Sequence, residues 1–138
     1  ELSVNVASIT PAAFTWIKTA IGALKGSLRH LLIYPQNRRL PNNFEPSWCC
    51  HLPQTLRLLS MPFVGFRSEW IAALPRHLTS LDMSFIDDSY STVLPVHLEV
   101  LPKYLVHLSM SVDKSQVHEY DIDALDLPHL RNPNINYC

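Results

Sequence analysis

Apolar residues return along this chain as a spaced frame. Leu52-Pro53-Gln54-Thr55-Leu56-Arg57-Leu58-Leu59-Ser60-Met61 is followed by Leu74-Pro75-Arg76-His77-Leu78-Thr79-Ser80-Leu81-Asp82-Met83 and by Leu101-Pro102-Lys103-Tyr104-Leu105-Val106-His107-Leu108-Ser109-Met110. The shared frame is Leu-Pro-x-x-Leu-x-x-Leu-x-Met. A looser copy precedes them, from Leu24 to Ile33, with Lys25 in place of proline. A degenerate one follows from Leu127 to Ile135; it has lost one residue between its leucines and carries Pro133 where a leucine stood. The second leucines fall at 28, 56, 78, 105 and 130, so the spacings are 28, 22, 27 and 25. Leu2-Ser3-Val4-Asn5-Val6 reads as the tail of one more unit.

In an extended segment, Leu-x-Met puts two apolar side chains on one face and turns the residue between them to the other. Each copy therefore predicts a strand of about three residues, too short to persist alone. It must pair with the same segment of the next copy, which builds a parallel sheet along the repeat axis. Helical signals lie between strands. Thr10 suits an N-cap and Pro11 a first helical position, and Phe14, Ile17, Ile21 and Leu24 follow at spacings of three and four until Gly26. Ser68 to Leu74 predicts a short capped helix that stops at Pro75. Trp48 stands eight residues before Leu56 as Trp70 does before Leu78, so both are expected in the same slot between layers. The connection from Asp113 to Asp126 is acidic and less regular.

These frames resemble leucine-rich repeats, whose strand segment looks like Leu-x-x-Leu-x-Met/Ile and whose period covers this range. The resemblance implies an α/β solenoid over a single domain, residues 1–138, with short parallel strands on a concave face and helices or turns on a convex one. Two departures accompany it. The family's usual Asn or Cys three residues beyond the last apolar strand position is replaced by Gln36, Val64, Ile86 and Asp113; only Cys138 fits. The repeats are also uneven, which implies non-uniform curvature. The Leu-Pro-x-x-Leu opening looks like the repeats of certain bacterial effectors, which are shorter and more regular, and the long irregular units are similar to those of F-box-type adaptors.

Composition narrows the picture. With 47% hydrophobic and 17% charged residues the chain has ample apolar surface for a core and too much for disorder. Three glycines against 11 prolines argue against a glycine-rich phosphate loop. A net charge of −1 and the isolated Arg38-Arg39 pair disfavour nucleic acid. No apolar run approaches the roughly 20 residues that cross a bilayer, and no leader pattern opens the chain. Cys49, Cys50 and Cys138 do not read as a disulfide framework, and with no glycosylation sequon the expected compartment is the reducing cytoplasm. The chain opens at Glu1 already in an apolar alternation, which leaves open that it is a piece of a longer array.

Several clusters invite chemistry. Cys49-Cys50-His51 places a thiol beside an imidazole, the minimum for a nucleophile and base, but sequence neighbours on a helix point apart and small cysteines also fill core volume. The seven histidines lack the spacing of a zinc helix; His30 and His107 instead share one frame position, just before the first apolar strand residue. Asp121, Asp123 and Asp126 lack the glycine and terminal glutamate of a calcium loop, and Asp87-Asp88 reads as a solvated loop. No metal and no cofactor is expected.

The residues turned away from the core carry the functional expectation: Leu32, Tyr34, Ser60, Asp82, Ser84, His107, Ser109 and Ser111, with Asn134 and Asn136 closing the series. Together they predict a non-catalytic module that binds a protein partner through the concave face, with Tyr34 as the anchor. Membrane, nucleic acid and small-molecule substrates are not expected. Three alternatives stand beside it: substrate recognition for a ubiquitin ligase, a structural subunit contacted through its sheet edges, and an enzyme using Cys49 and His51.

Overall fold

The computed structural model describes residues 1–6, 11–35, 52–61, 68–83, 100–112 and 126–137. Six strands form one sheet: β1 (Leu2–Val6), β2 (His30–Pro35), β3 (Leu58–Ser60), β4 (Ser80–Met83), β5 (His107–Val112) and β6 (Asn132–Tyr137). Their spatial order is their chain order, and each pairs with the next in parallel. The helix α1 (Pro11–Ala23) lies between β1 and β2, and a 3₁₀ helix (Ser68–Ala73) between β3 and β4. The chain is thus an α/β protein built on a parallel sheet.

Register follows the frame. Leu31, Leu59, Leu81 and Leu108 lie side by side across β2 to β5, and each is at most 1% exposed. Ile33, Met61, Met83 and Met110 are buried in the same way. Behind the strands the second leucines of the frames, Leu28, Leu56, Leu78 and Leu105, join the cluster with Ile17, Ile21 and Ile71 from the helices. Burying a side chain of this size stabilises by about 1.5–3 kcal/mol, so the strand row and the leucine row behind it bind each rung to its neighbours.

A tight turn delivers each second leucine. The amides of Leu56, Leu78 and Leu105 donate to the carbonyls of Pro53, Pro75 and Pro102, at 3.1, 3.4 and 3.4 Å. In the degenerate copy Leu130 donates to Leu127 at 3.1 Å. There Leu127, 8% exposed, occupies the place of proline, and Pro128 moves to the second turn position, where its fixed φ fits. The missing residue is thus absorbed without moving Leu130. In the first copy, where Lys25 stands in place of proline, α1 ends at Ala23 and the Leu28 amide donates to Leu24 at 2.9 Å across the turn that follows. The helix thus stops at Ala23, short of the expected Gly26, and Leu24, which continues the helical spacing, sits on the following turn at 37% exposure. Ile17 and Ile21 keep the core face, both at 1%.

One junction repeats at the start of every strand from β3 to β6. A single carbonyl accepts two consecutive amides of the next rung: Arg29 takes Arg57 and Leu58, Arg57 takes Thr79 and Ser80, Thr79 takes Val106 and His107, and Val106 takes Arg131 and Asn132, all at 2.7–3.1 Å. At the first junction the Thr55 hydroxyl also donates to the Leu28 carbonyl at 2.8 Å. Thr55→Val keeps the shape and removes that donor; a loss of about 1 kcal/mol in urea-induced unfolding is expected.

Trp48 and the Cys49-Cys50-His51 cluster lie outside the described residues, as do Arg38-Arg39, Asp87-Asp88, Asp121 and Asp123. Of Trp70 only the backbone is described. Among the described residues no helix is long and apolar enough to cross a membrane.

Candidate functional site

Because strand side chains alternate, burying the Leu31 and Ile33 rows turns the residues between and beside them to the opposite face. Pairing aligns them in three rows. The central row runs Ser3, Leu32, Ser60, Asp82, Ser109 and Asn134. Ahead of it run His30, Leu58, Ser80, His107 and Asn132. Behind it, Asn5 pairs with Tyr34 and Ser111 with Asn136.

The face is divided in character. Toward β2 and β3 it carries the apolar side chains, with Leu32 and Leu58 half-buried and Tyr34 43% exposed, and His30 Nδ1 lies 3.9 Å from Glu1 Oε2 beside them. Toward β5 and β6 it is a field of hydrogen-bonding groups. The Asn132 amide nitrogen meets His107 Nδ1 at 2.9 Å, which fits a donor to an unprotonated ring nitrogen, and the Asn134 amide donates to Ser109 Oγ at 3.5 Å. Asp82 stands between the two halves. It is the one Asp or Glu in the six strands, which contain no Lys or Arg. Its Oδ2 accepts from Ser60 Oγ at 3.2 Å. Its Oδ1 is buried and has no hydrogen-bond partner among the described residues.

The expected face residues are thus placed unevenly. Leu32, Tyr34, Asp82, His107 and Ser109 reach the face with their side chains at least partly exposed. Ser60 differs. At 7% exposure it is covered, and its hydroxyl serves Asp82. It therefore presents little surface of its own and supports the carboxylate of Asp82. Ser111 is in the β5 ladder opposite Asn136, described by its backbone only, and Ser84 lies outside the described residues. The leading row went largely unread: Leu58, Ser80 and Asn132 are absent from the expected set although they share a register row with His107. Their signal was available, since each stands two residues before its central-row neighbour and alternation puts both on one face.

A second alignment lies at the turns. The residue before each second leucine contributes a ring in three successive rungs. His77 stacks on Tyr104 with ring centroids 5.6 Å apart and planes at 24°, and Tyr104 stacks on His129 at 5.9 Å and 10°. Tyr104 is nevertheless 52% exposed.

At the far edge of the sheet Pro133 takes the position of the ladder leucines, opposite Leu108. The Asn132 amide points to β5, so by alternation the Pro133 nitrogen points outward. That edge lacks a donor where a further strand would need one.

No family model, no curated protein and no solved structure matches the chain. Its own geometry therefore carries the functional reading.

Proposed function

We propose that the chain is a leucine-rich-repeat solenoid that binds a protein partner through the three-row face of its sheet and performs no chemical step. The in-order parallel pairing, the aligned leucines and the repeated carbonyl junction support the solenoid. Asp82 carries the binding reading. A buried carboxylate oxygen without a donor costs about 1–3 kcal/mol, and a donor brought by a partner would recover it. Beside it Tyr34, Leu32 and Leu58 offer apolar area, so one partner can be held by an apolar anchor and a hydrogen-bonded one together. The role of substrate recognition within a ubiquitin ligase is the same contact with a different neighbour. The edge-contacted structural subunit is disfavoured at β6 by the outward Pro133.

The test is a double variant. Tyr34→Ala with Asp82→Ala, made in the whole chain, is expected to weaken a co-purified partner roughly tenfold or more in a titration, a change of about 1.4 kcal/mol. The thermal unfolding midpoint should stay close to that of the parent, because Tyr34 already lies open to solvent and Asp82 satisfies only one of its oxygens. Unchanged affinity counts against this face as the contact surface.

A further inference from the structure

The turn side of the sheet carries a charge pattern that the strand face does not. Each of the five rungs from β2 to β6 brings at least one cation in the segment leading into its strand, among them Arg29, Arg57, Arg76, Lys103 and Arg131. With Lys25 this edge holds six of the chain's 11 Lys and Arg, while Asp126 is the single Asp or Glu in the same segments out of 12. A near-neutral total therefore conceals an excess of positive charge in these described segments. Arg29, Arg57 and Arg131 directly follow the second leucine, and Arg76 and Lys103 stand two residues before it, so the cations lie in two rows that span five rungs, about 19 Å at a strand spacing of about 4.8 Å.

Order along this edge is built in. The stacked rings of His77, Tyr104 and His129 repeat at 5.6 and 5.9 Å, close to the strand spacing, so the turns advance in step with the sheet. The Arg57 guanidinium is folded onto its own turn, donating to the carbonyls of Gln54 and Leu56 at 3.2 and 3.3 Å. Between adjacent turns the Arg76 amide donates to Gln54 Oε1 at 3.4 Å. Arg29, Arg76 and Arg131 are exposed. The turns that carry the cations are thus set in place before any ligand arrives, so little backbone entropy is lost on binding.

We infer that this turn edge is a second binding strip, distinct from the strand face, and that its ligand is an acidic, extended protein segment. Single-stranded nucleic acid is the competing polyanion, but it binds such grooves by stacking bases on free aromatic faces. Here both faces of Tyr104 are occupied by the two imidazoles, and ring separations under 6 Å leave no room for a base between them. Carboxylates need only the exposed guanidinium groups of Arg29, Arg76 and Arg131, which complement them by charge.

The experiment uses the whole chain and a fluorescein-labelled peptide of alternating glutamate and serine long enough to span the five rungs, with fluorescence anisotropy as readout. Saturable binding that weakens as salt rises is expected. Arg76→Glu with Arg131→Glu should reduce affinity roughly tenfold or more. Tyr34→Ala with Asp82→Ala should leave it unchanged, which separates this strip from the strand face. Circular dichroism verifies that the variants fold, and Arg76→Gln with Arg131→Gln provides a milder pair with the same direction. Absence of peptide binding, an equal loss in the strand-face variant, or tighter binding of a single-stranded oligonucleotide of matching length would each overturn the assignment.

Discussion

Leu108→Pro is expected to abolish the cooperative folding of the chain. Position 108 lies in β5, between β4 and β6, and its amide faces β6, because the neighbouring Val106 carbonyl accepts from Asn132 there. Proline removes that donor and leaves a carbonyl of β6 without its partner, a penalty of about 1–3 kcal/mol. It also exchanges a leucine buried to 1% for a smaller ring, adding the cost of a cavity. Against the 5–15 kcal/mol that typically holds a domain together, the sum leaves little. The instructive comparison is Pro133, in the same register row, which the native chain carries on the last strand of the described sheet. One residue type at paired positions gives opposite outcomes because only one of the two amides faces a neighbour. Far-ultraviolet circular dichroism and a urea titration would check this; a sharp two-state transition near that of the parent would contradict the assigned ladder.

Leu81→Ala carries the second large effect. The side chain is 1% exposed and lies between Leu59 and Leu108 across three rungs, flanked along its own strand by Met83, which is fully buried. Its removal opens a cavity among neighbours already fixed by the sheet, and about 2–5 kcal/mol of stability should be lost. Leu24→Ala is the matched comparison. That leucine shares the composition of the frame but sits on the turn after α1, 37% exposed, and its loss should stay within about 1 kcal/mol. Urea midpoints for the two variants distinguish a core leucine from one that only resembles it in sequence, and equal losses would mean that the burial pattern is misassigned.

The places of the strands and their register were legible in the sequence because the frame repeats at fixed internal offsets, and Leu59, Leu81 and Leu108 align as the spacing predicts, but β2, β5 and β6 run six residues where about three were expected. Two features were not. The spacing of three from Ile21 to Leu24 predicts a helix running to Gly26, yet the helix ends at Ala23 and the apolar stripe ends with it. Hydrophobic period reports where an apolar face would continue, not where backbone hydrogen bonding stops. The ring stack of His77, Tyr104 and His129 went unread because the frame treats that position as variable, and only packing of consecutive turns turns three unlike residues into neighbours. On the strand face, Asp82 was found by alternation, but its unpaired oxygen and the covering of Ser60 depend on side-chain packing that no spacing rule contains.

The shifted turn before β6 has a consequence for how such a chain can vary. Leu127 accepts the bond that proline accepts elsewhere, so position is counted backward from the second leucine and not forward from the preceding strand. The length upstream of that bond is thus not counted by the turn itself, within the limit that the connections still deliver side chains such as Ile17, Ile21 and Ile71 to the core.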